Sequence, residues 1–231
     1  SIWTEALVDD PEPWRRLAQI YERRRRYKEL SEANDALARL ETTPAARAAA
    51  LLTAAELCWT RLKDENAMLA RIGTYVRANP GPLPDSLIDL ARKAERLAEL
   101  CVLCEASGHY DELFALLRER IEKTSDPPQK SELYRQLATL LIEQRQDDDG
   151  ALAAYEGLLA LGDDVEALRF VQAWAVRHDD PERLAGALLR LARVESNLEE
   201  RRDLYMERGR ILRARLGRPR DAIGAFEQVL A

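Results

Sequence analysis

Residues 134–155, YRQLATLLIEQRQDDDGALAAY, are answered 71 positions later by residues 205–226, YMERGRILRARLGRPRDAIGAF. Tyr134, Ala138, Ala151 and Tyr155 correspond to Tyr205, Gly209, Ala222 and Phe226. Half of that spacing is about 35, and a third unit carrying Leu168 and Leu184 lies between the two. The alternation of large and small residues has a packing reason. A small residue at the matching place of a first helix (Ala18, Ala55, Cys101, Ala138, Gly209) lets two helices of a hairpin approach closely, while large residues fill the gap to the next hairpin. One hairpin cannot bury its apolar face alone, so neighbours must stack to make a continuous core.

Working outward from this stretch, apolar residues recur at three- and four-residue spacing nearly throughout, which is the pattern of amphipathic helices. Short breaks punctuate it at Asp10-Pro11, Thr42-Thr43-Pro44, Asn79-Pro80-Gly81-Pro82, Ser125-Asp126-Pro127-Pro128, Gly162-Asp163-Asp164, Asp179-Asp180-Pro181 and Gly217-Arg218-Pro219. Each joins a helix stop to residues suited to a turn or an N-cap. The spacing predicts twelve helices, over 11–25, 27–41, 44–62, 64–79, 84–107, 109–124, 128–146, 148–161, 164–178, 181–195, 198–216 and 218–231. Such short turns force consecutive helices antiparallel, giving about six hairpins in a single domain over 1–231, paired as 11–41, 44–79, 84–124, 128–161, 164–195 and 198–231. The third pair carries about ten extra residues, so its first helix is long or broken. In the fifth, Gln172 stands where a small residue belongs.

Composition agrees. Gly and Pro number ten each, against 33 % charged residues and 46 % hydrophobic ones, a mixture rich in helix formers and poor in strand formers. The net charge of −6 argues against nucleic acid, which needs a basic footprint. No run of about 18 apolar residues exists, so no membrane insertion is expected. Three cysteines (Cys58, Cys101, Cys104) form no disulfide framework and suit a reducing compartment. A cytoplasmic location is the expectation; a periplasmic or envelope-associated one stays open because the chain begins at Ser1-Ile2-Trp3 without Met. Thirty Arg against five Lys hint at a GC-rich bacterial genome.

Trp14-x2-Leu17-Ala18-x2-Tyr21 resembles the first-helix pattern of the tetratricopeptide repeat. Leu216-Gly217-Arg218-Pro219-Arg220-Asp221-Ala222-Ile223-Gly224-Ala225-Phe226 resembles that family's inter-helix turn and second helix. The resemblance covers the whole chain as a tandem array and implies a right-handed superhelical solenoid. Trp3, Leu7 and Asp10-Pro11 then read as the end of a preceding second helix. Val229-Leu230-Ala231 leaves the last repeat without a polar cap, which would allow self-association through uncapped ends.

In that family the first helices line a concave groove that grips a peptide. By register the resemblance places Arg16, Gln19, Trp59, Arg135, Gln136, Thr139, Arg169, Phe170 and Arg210 on the groove. Trp59, Phe170 and Trp174 are also good core candidates. The lining departs from the Lys/Asn set with which one branch of the family clamps a C-terminal carboxylate, so a chaperone-tail binder is not expected. Its basic and aromatic C-terminal half suits a peptide with acidic and apolar residues.

Catalytic and metal chemistry find little material. Cys101-x2-Cys104 with His109 invites a metal or redox reading, but Cys101 and Cys104 fall on packing places of the repeat. Arg23-Arg24-Arg25-Arg26 is the one basic run and falls at a hairpin turn. Asp147-Asp148-Asp149-Gly150 resembles a calcium loop only superficially, and Asp there suits helix capping. No Gly-rich phosphate loop or nucleophile elbow is present, and two His leave little for acid–base work. Neither an enzyme nor a cofactor is expected. The reading is a protein–protein interaction scaffold, with a regulatory arm of a signalling protein as the alternative and a helical-repeat RNA binder behind it.

Overall fold

A computed structural model describes residues 10–230, so Trp3, Leu7 and Ala231 lie outside the described residues. Among these residues there are thirteen α-helices and no strand. They are α1 (Pro11–Arg23), α2 (Tyr27–Leu40), α3 (Pro44–Leu57), α4 (Glu65–Ala78), α5 (Asp85–Lys93), α6 (Leu97–Ser107), α7 (Tyr110–Lys123), α8 (Pro127–Leu140), α9 (Asp148–Leu159), α10 (Val165–Arg177), α11 (Pro181–Val194), α12 (Leu198–Ala214) and α13 (Pro219–Leu230). The chain parts into two compact units at Leu116 and Leu117, within α7. Inside each unit helices pack on their neighbours in chain order, α1 on α2, α2 on α3 and α3 on α4, then α8 on α9 and onward to α12 on α13. This sequential packing is that of a helical-repeat protein.

The starts of the helices follow from local chemistry. Asp10, Thr43, Asp64, Asp126, Asp147, Asp164, Asp180 and Asn197 each accept a hydrogen bond from a backbone N–H of the following first turn. Pro11, Pro44, Pro127 and Pro181 then occupy the first helical position, where the missing N–H costs nothing.

The turn closing the first helix of each pair repeats a different device, one residue in the left-handed conformation. Glycine fills it at Gly108 and Gly217, but Arg25, Lys63, Glu95, Gln146 and Asp179 do so elsewhere, with φ between 53° and 57°. After Arg25, Glu95, Gly108 and Asp179 the next backbone N–H reaches back five residues: Arg26 to Tyr21, Arg96 to Ala91, His109 to Cys104, Asp180 to Ala175. This closure satisfies carbonyls that the helix end would otherwise orphan.

Three first helices end differently. Asp64, Asp147 and Arg218 reach back six residues, to Cys58, Leu141 and Leu212. Ahead of the first two the helix widens into a π-turn, at Cys58–Leu62 and Leu141–Arg145. The 71-residue period follows from this alternation, since a longer first helix (from Pro127) is followed by a shorter one (from Val165) before the longer kind returns at Leu198.

Where the spacing predicts a helix over 84–107 that is long or broken, the chain makes two, α5 and α6, broken at Ala94–Arg96 by the left-handed Glu95. The bends at both ends of α6 are of the five-residue kind, so the third segment is three helices rather than a hairpin.

Within the core, Ala55, Cys101, Ala138 and Gly209 are buried at the small places, and Ala18 is half-buried. The tightest approaches are made by glycine. A Cβ on Gly209 would collide with the ring of Phe226, and one on Gly157 with the ring of Tyr134. The two aromatics lie on opposite members of their pairs, Tyr134 on a first helix and Phe226 on a second.

Candidate functional site

The nine residues that register assigns to a groove all sit on first helices of pairs or on their π-turn extensions: Arg16 and Gln19 on α1, Trp59 after α3, Arg135, Gln136 and Thr139 on α8, Arg169 and Phe170 on α10, Arg210 on α12. None of the nine is buried. Arg16, Gln19, Arg169 and Arg210 are exposed, and the others are half-buried.

Their engagement differs. Arg135 donates to Asp164 at 3.0 Å and is ion-paired with Glu132. Asp164 is also the N-cap of α10. Burial opposes its ionisation, but the Ala167 N–H and the Arg135 guanidinium outweigh that and hold its carboxyl below the usual range. Arg135 is thus already a strut between α8 and α10. Phe170 leans on the buried Tyr155, with ring centroids 4.9 Å apart, and the Tyr155 hydroxyl is hydrogen-bonded to Thr139. Trp59 keeps part of its ring in water, with Lys63 Nζ 5.8 Å from its centroid. Arg16 makes a loose 3.4 Å contact with Glu12 within its own helix. Arg169 contacts Gln172 at 3.5 Å, and its charge acts on Glu195 without a direct ion pair among the described residues.

Trp174 is neither core nor free. Its indole N–H donates to Asp149 at 3.1 Å, His178 stacks on it at 4.0 Å, and the guanidinium of Arg183 lies 5.6 Å from its centroid. The acidic run is absorbed in the same place. Asp147 caps α9, Asp148 pairs with Arg177 at 2.7 Å, and Asp149 holds Trp174. The basic run forms the α1–α2 turn, where Arg26 lies 5.5 Å from the Tyr21 ring and pairs with Glu29.

Cys101 and Cys104 are both buried. Burial, helped by Cys101 and Glu112, pushes the Cys104 thiol up to about 12, so it stays protonated and unreactive at neutral pH. His109 is buried too, with Nε2 3.0 Å from the Val76 carbonyl oxygen and Nδ1 4.0 Å from Glu112. The contact with Val76 ties the start of α7 to the end of α4. Among the described residues no group of three or more His, Cys, Asp or Glu is placed to hold a metal ion, and no helix is long and apolar enough to cross a membrane.

Sequence reasoning missed two clefts, one in each unit, that open between successive second helices rather than along first helices. The first, about 520 Å³, is bounded by α2, the start of α3, and α4. The second, about 370 Å³, is bounded by α9, α10 and α11 in the same order. In both, small residues make the room: Ala38, Ala70, Thr74 and Ala78 in one, Ala160, Gly186 and Ala187 in the other. An acid on the earlier second helix meets an arginine on the later one across each cleft, as Asp35 with Arg71 and Glu156 with Arg183.

No protein-family model matches the chain, and no curated protein matches it. The fold defines a class, an all-α helical-repeat protein, an arrangement consistent with a protein-interaction scaffold in general.

Proposed function

We propose that the chain is an array of tetratricopeptide-type repeats that scaffolds partner proteins, taking a peptide or domain along the face formed by its first helices. The observation that carries this reading is the exposure pattern: Arg16, Gln19, Trp59, Arg135, Gln136, Thr139, Arg169, Phe170 and Arg210 all keep surface in water, while the small residues Ala55, Ala138 and Gly209 on three of the same helices are buried. In the second unit that face mixes guanidinium groups with the partly open ring of Phe170, which suits a partner bearing acidic and apolar side chains.

The test uses Arg169 and Arg210, because neither forms an ion pair among the described residues, whereas reversing Arg135 would break its strut to Asp164. Affinity capture compares the protein with its Arg169→Glu/Arg210→Glu variant. A protein retained by the first and lost by the second is the expected result. Equal capture by both removes the first-helix face as the interface.

A further inference from the structure

We infer that the cleft between α2, α3 and α4 is a second binding site, for an acidic segment of a partner protein whose side-chain carboxylates meet Arg39 and Arg47. This site goes beyond the first-helix face and includes none of the nine residues named for it, although Pro44, Arg47 and Leu51 come from the first helix α3.

The argument begins with charge. The protein carries a net charge of −6, yet this cleft is lined by three arginines, Arg39, Arg47 and Arg71, against one carboxylate, Asp35. That carboxylate is fully used. Arg71 holds it bidentately, Nε to Oδ1 at 3.0 Å and Nη2 to Oδ2 at 2.5 Å, and gives its remaining nitrogen to the Ala67 carbonyl at 2.9 Å. Arg71 and Asp35 therefore neutralise each other and form a fixed wall. Arg39 and Arg47 touch only carbonyls, those of Asp35 at 3.3 Å and Thr42 at 3.2 Å, and neither is ion-paired among the described residues. Two guanidinium groups thus stand at the rim of a cleft with their own charge uncompensated.

The second cleft is the internal contrast. Its arginines are taken up, Arg183 by Glu156 and Asp180 at 2.8 Å each, and Arg190 by Asp163 at 2.5 Å. The same architecture with the same kind of residue is closed by its own acids in one unit and left open in the other.

Shape selects the occupant. Arg39, Pro44, Arg47, Ala70, Thr74 and Ala78 are all solvent-exposed, so the cleft is an open trough rather than an enclosed pocket. Small-molecule sites bury most of their ligand, whereas an open trough suits a chain that crosses it. The floor is apolar where Leu51 is buried and the alanines line the walls. The complementary segment carries an apolar residue over Leu51 flanked by Asp or Glu for Arg39 and Arg47, since guanidinium–carboxylate pairs are bidentate and directional.

The probe is a fluorescein-labelled peptide of alternating Glu and Leu, with a control in which Gln replaces Glu, titrated by fluorescence anisotropy. The protein should bind the acidic peptide saturably and the Gln peptide at least roughly tenfold more weakly. Arg39→Glu/Arg47→Glu should lose at least roughly tenfold in affinity with an unchanged circular dichroism melting curve, because neither side chain supports the fold through an ion pair. Ala70→Trp, which fills the trough without changing charge, should lose binding as well. Equal binding of the two peptides, no saturable binding, or undiminished binding by the double variant overturns the proposal. If only the charge variant loses binding, the attraction is diffuse and the cleft is not a site. Self-association of the protein in sedimentation, abolished by the same two variants, would make a second copy of the chain the occupant and also overturn it.

Discussion

The cleft of the first unit and its counterpart in the second are built from equivalent helices and differ in how their arginines are partnered. In the first, one ion pair is drawn inward: the Arg71 and Asp35 side chains retain 18 % and 30 % of their exposure, and the other two guanidiniums stay unpaired. In the second, every arginine is paired, but in water, with the Arg183 and Glu156 side chains each 45 % exposed. Identical residue types therefore do different work. Depth turns an ion pair into a structural strut, exposure reduces it to charge neutralisation, and a missing partner leaves a guanidinium available to another molecule.

The contrast breaks most visibly at the acids. Removing Asp35 strands a largely desolvated guanidinium, and Asp35→Ala should cost about 2 kcal/mol in urea unfolding, reduced from the fully buried case because both groups keep some water. Glu156→Ala in the second cleft should cost less than about 1 kcal/mol, since its partner is hydrated and keeps Asp180. Equal losses would mean that the difference in depth has no energetic consequence.

A smaller effect separates charge from capping in the second unit. Asp164 both caps α10 and receives Arg135. Its pKa is lowered in the folded protein from an ordinary 3.8. A depressed pKa contributes stability that is fully present above the unfolded value and is lost as pH falls through the lower, folded one. Unfolding midpoints of the second unit should thus decline below about pH 4. Asp164→Asn keeps the cap and should flatten that decline, whereas Asp164→Ala loses the cap as well, at about 1 kcal/mol near neutral pH. An unchanged acid limb in Asp164→Asn would show that other carboxylates set it.

Much of the architecture was legible because its signals are local. Asp126-Pro127 and Asp180-Pro181 announce helix starts by capping chemistry, and the small places at Ala138 and Gly209 announce close approach. The extra residues of 84–124 left its first helix either long or broken, and the place of the break at Ala94–Arg96 was not legible, because its left-handed residue is Glu95 and apolar spacing runs through it. The π-turns at Cys58–Leu62 and Leu141–Arg145 hide for the same reason, since widening a turn leaves composition untouched. Register placed Arg210 and Gln19 on first helices, where both are exposed, but it could not see that Arg135 finds Asp164 across 29 residues. The clefts escaped altogether. They are made by alanines and glycines, which read along the chain as packing residues and acquire meaning only when two second helices flank a third element.

The left-handed turns carry the smallest test of the contrast between the units. A non-glycine residue in this conformation brings its Cβ against the carbonyl oxygen, at a cost of roughly 1–2 kcal/mol that glycine avoids. Glycine, however, also gives up backbone entropy on folding, so the net gain is smaller. In the first unit Arg25 is exposed, and Arg25→Gly should stabilise by about 0.5 kcal/mol. In the second unit Asp179 occupies the equivalent turn, but Asp tolerates the conformation better and pairs with Arg215. Asp179→Gly should therefore be close to neutral. Thermal unfolding of the two single variants reads the difference directly, and a larger gain at 179 than at 25 would show that the Asp179–Arg215 pair contributes nothing and that the strain at the second turn is the greater.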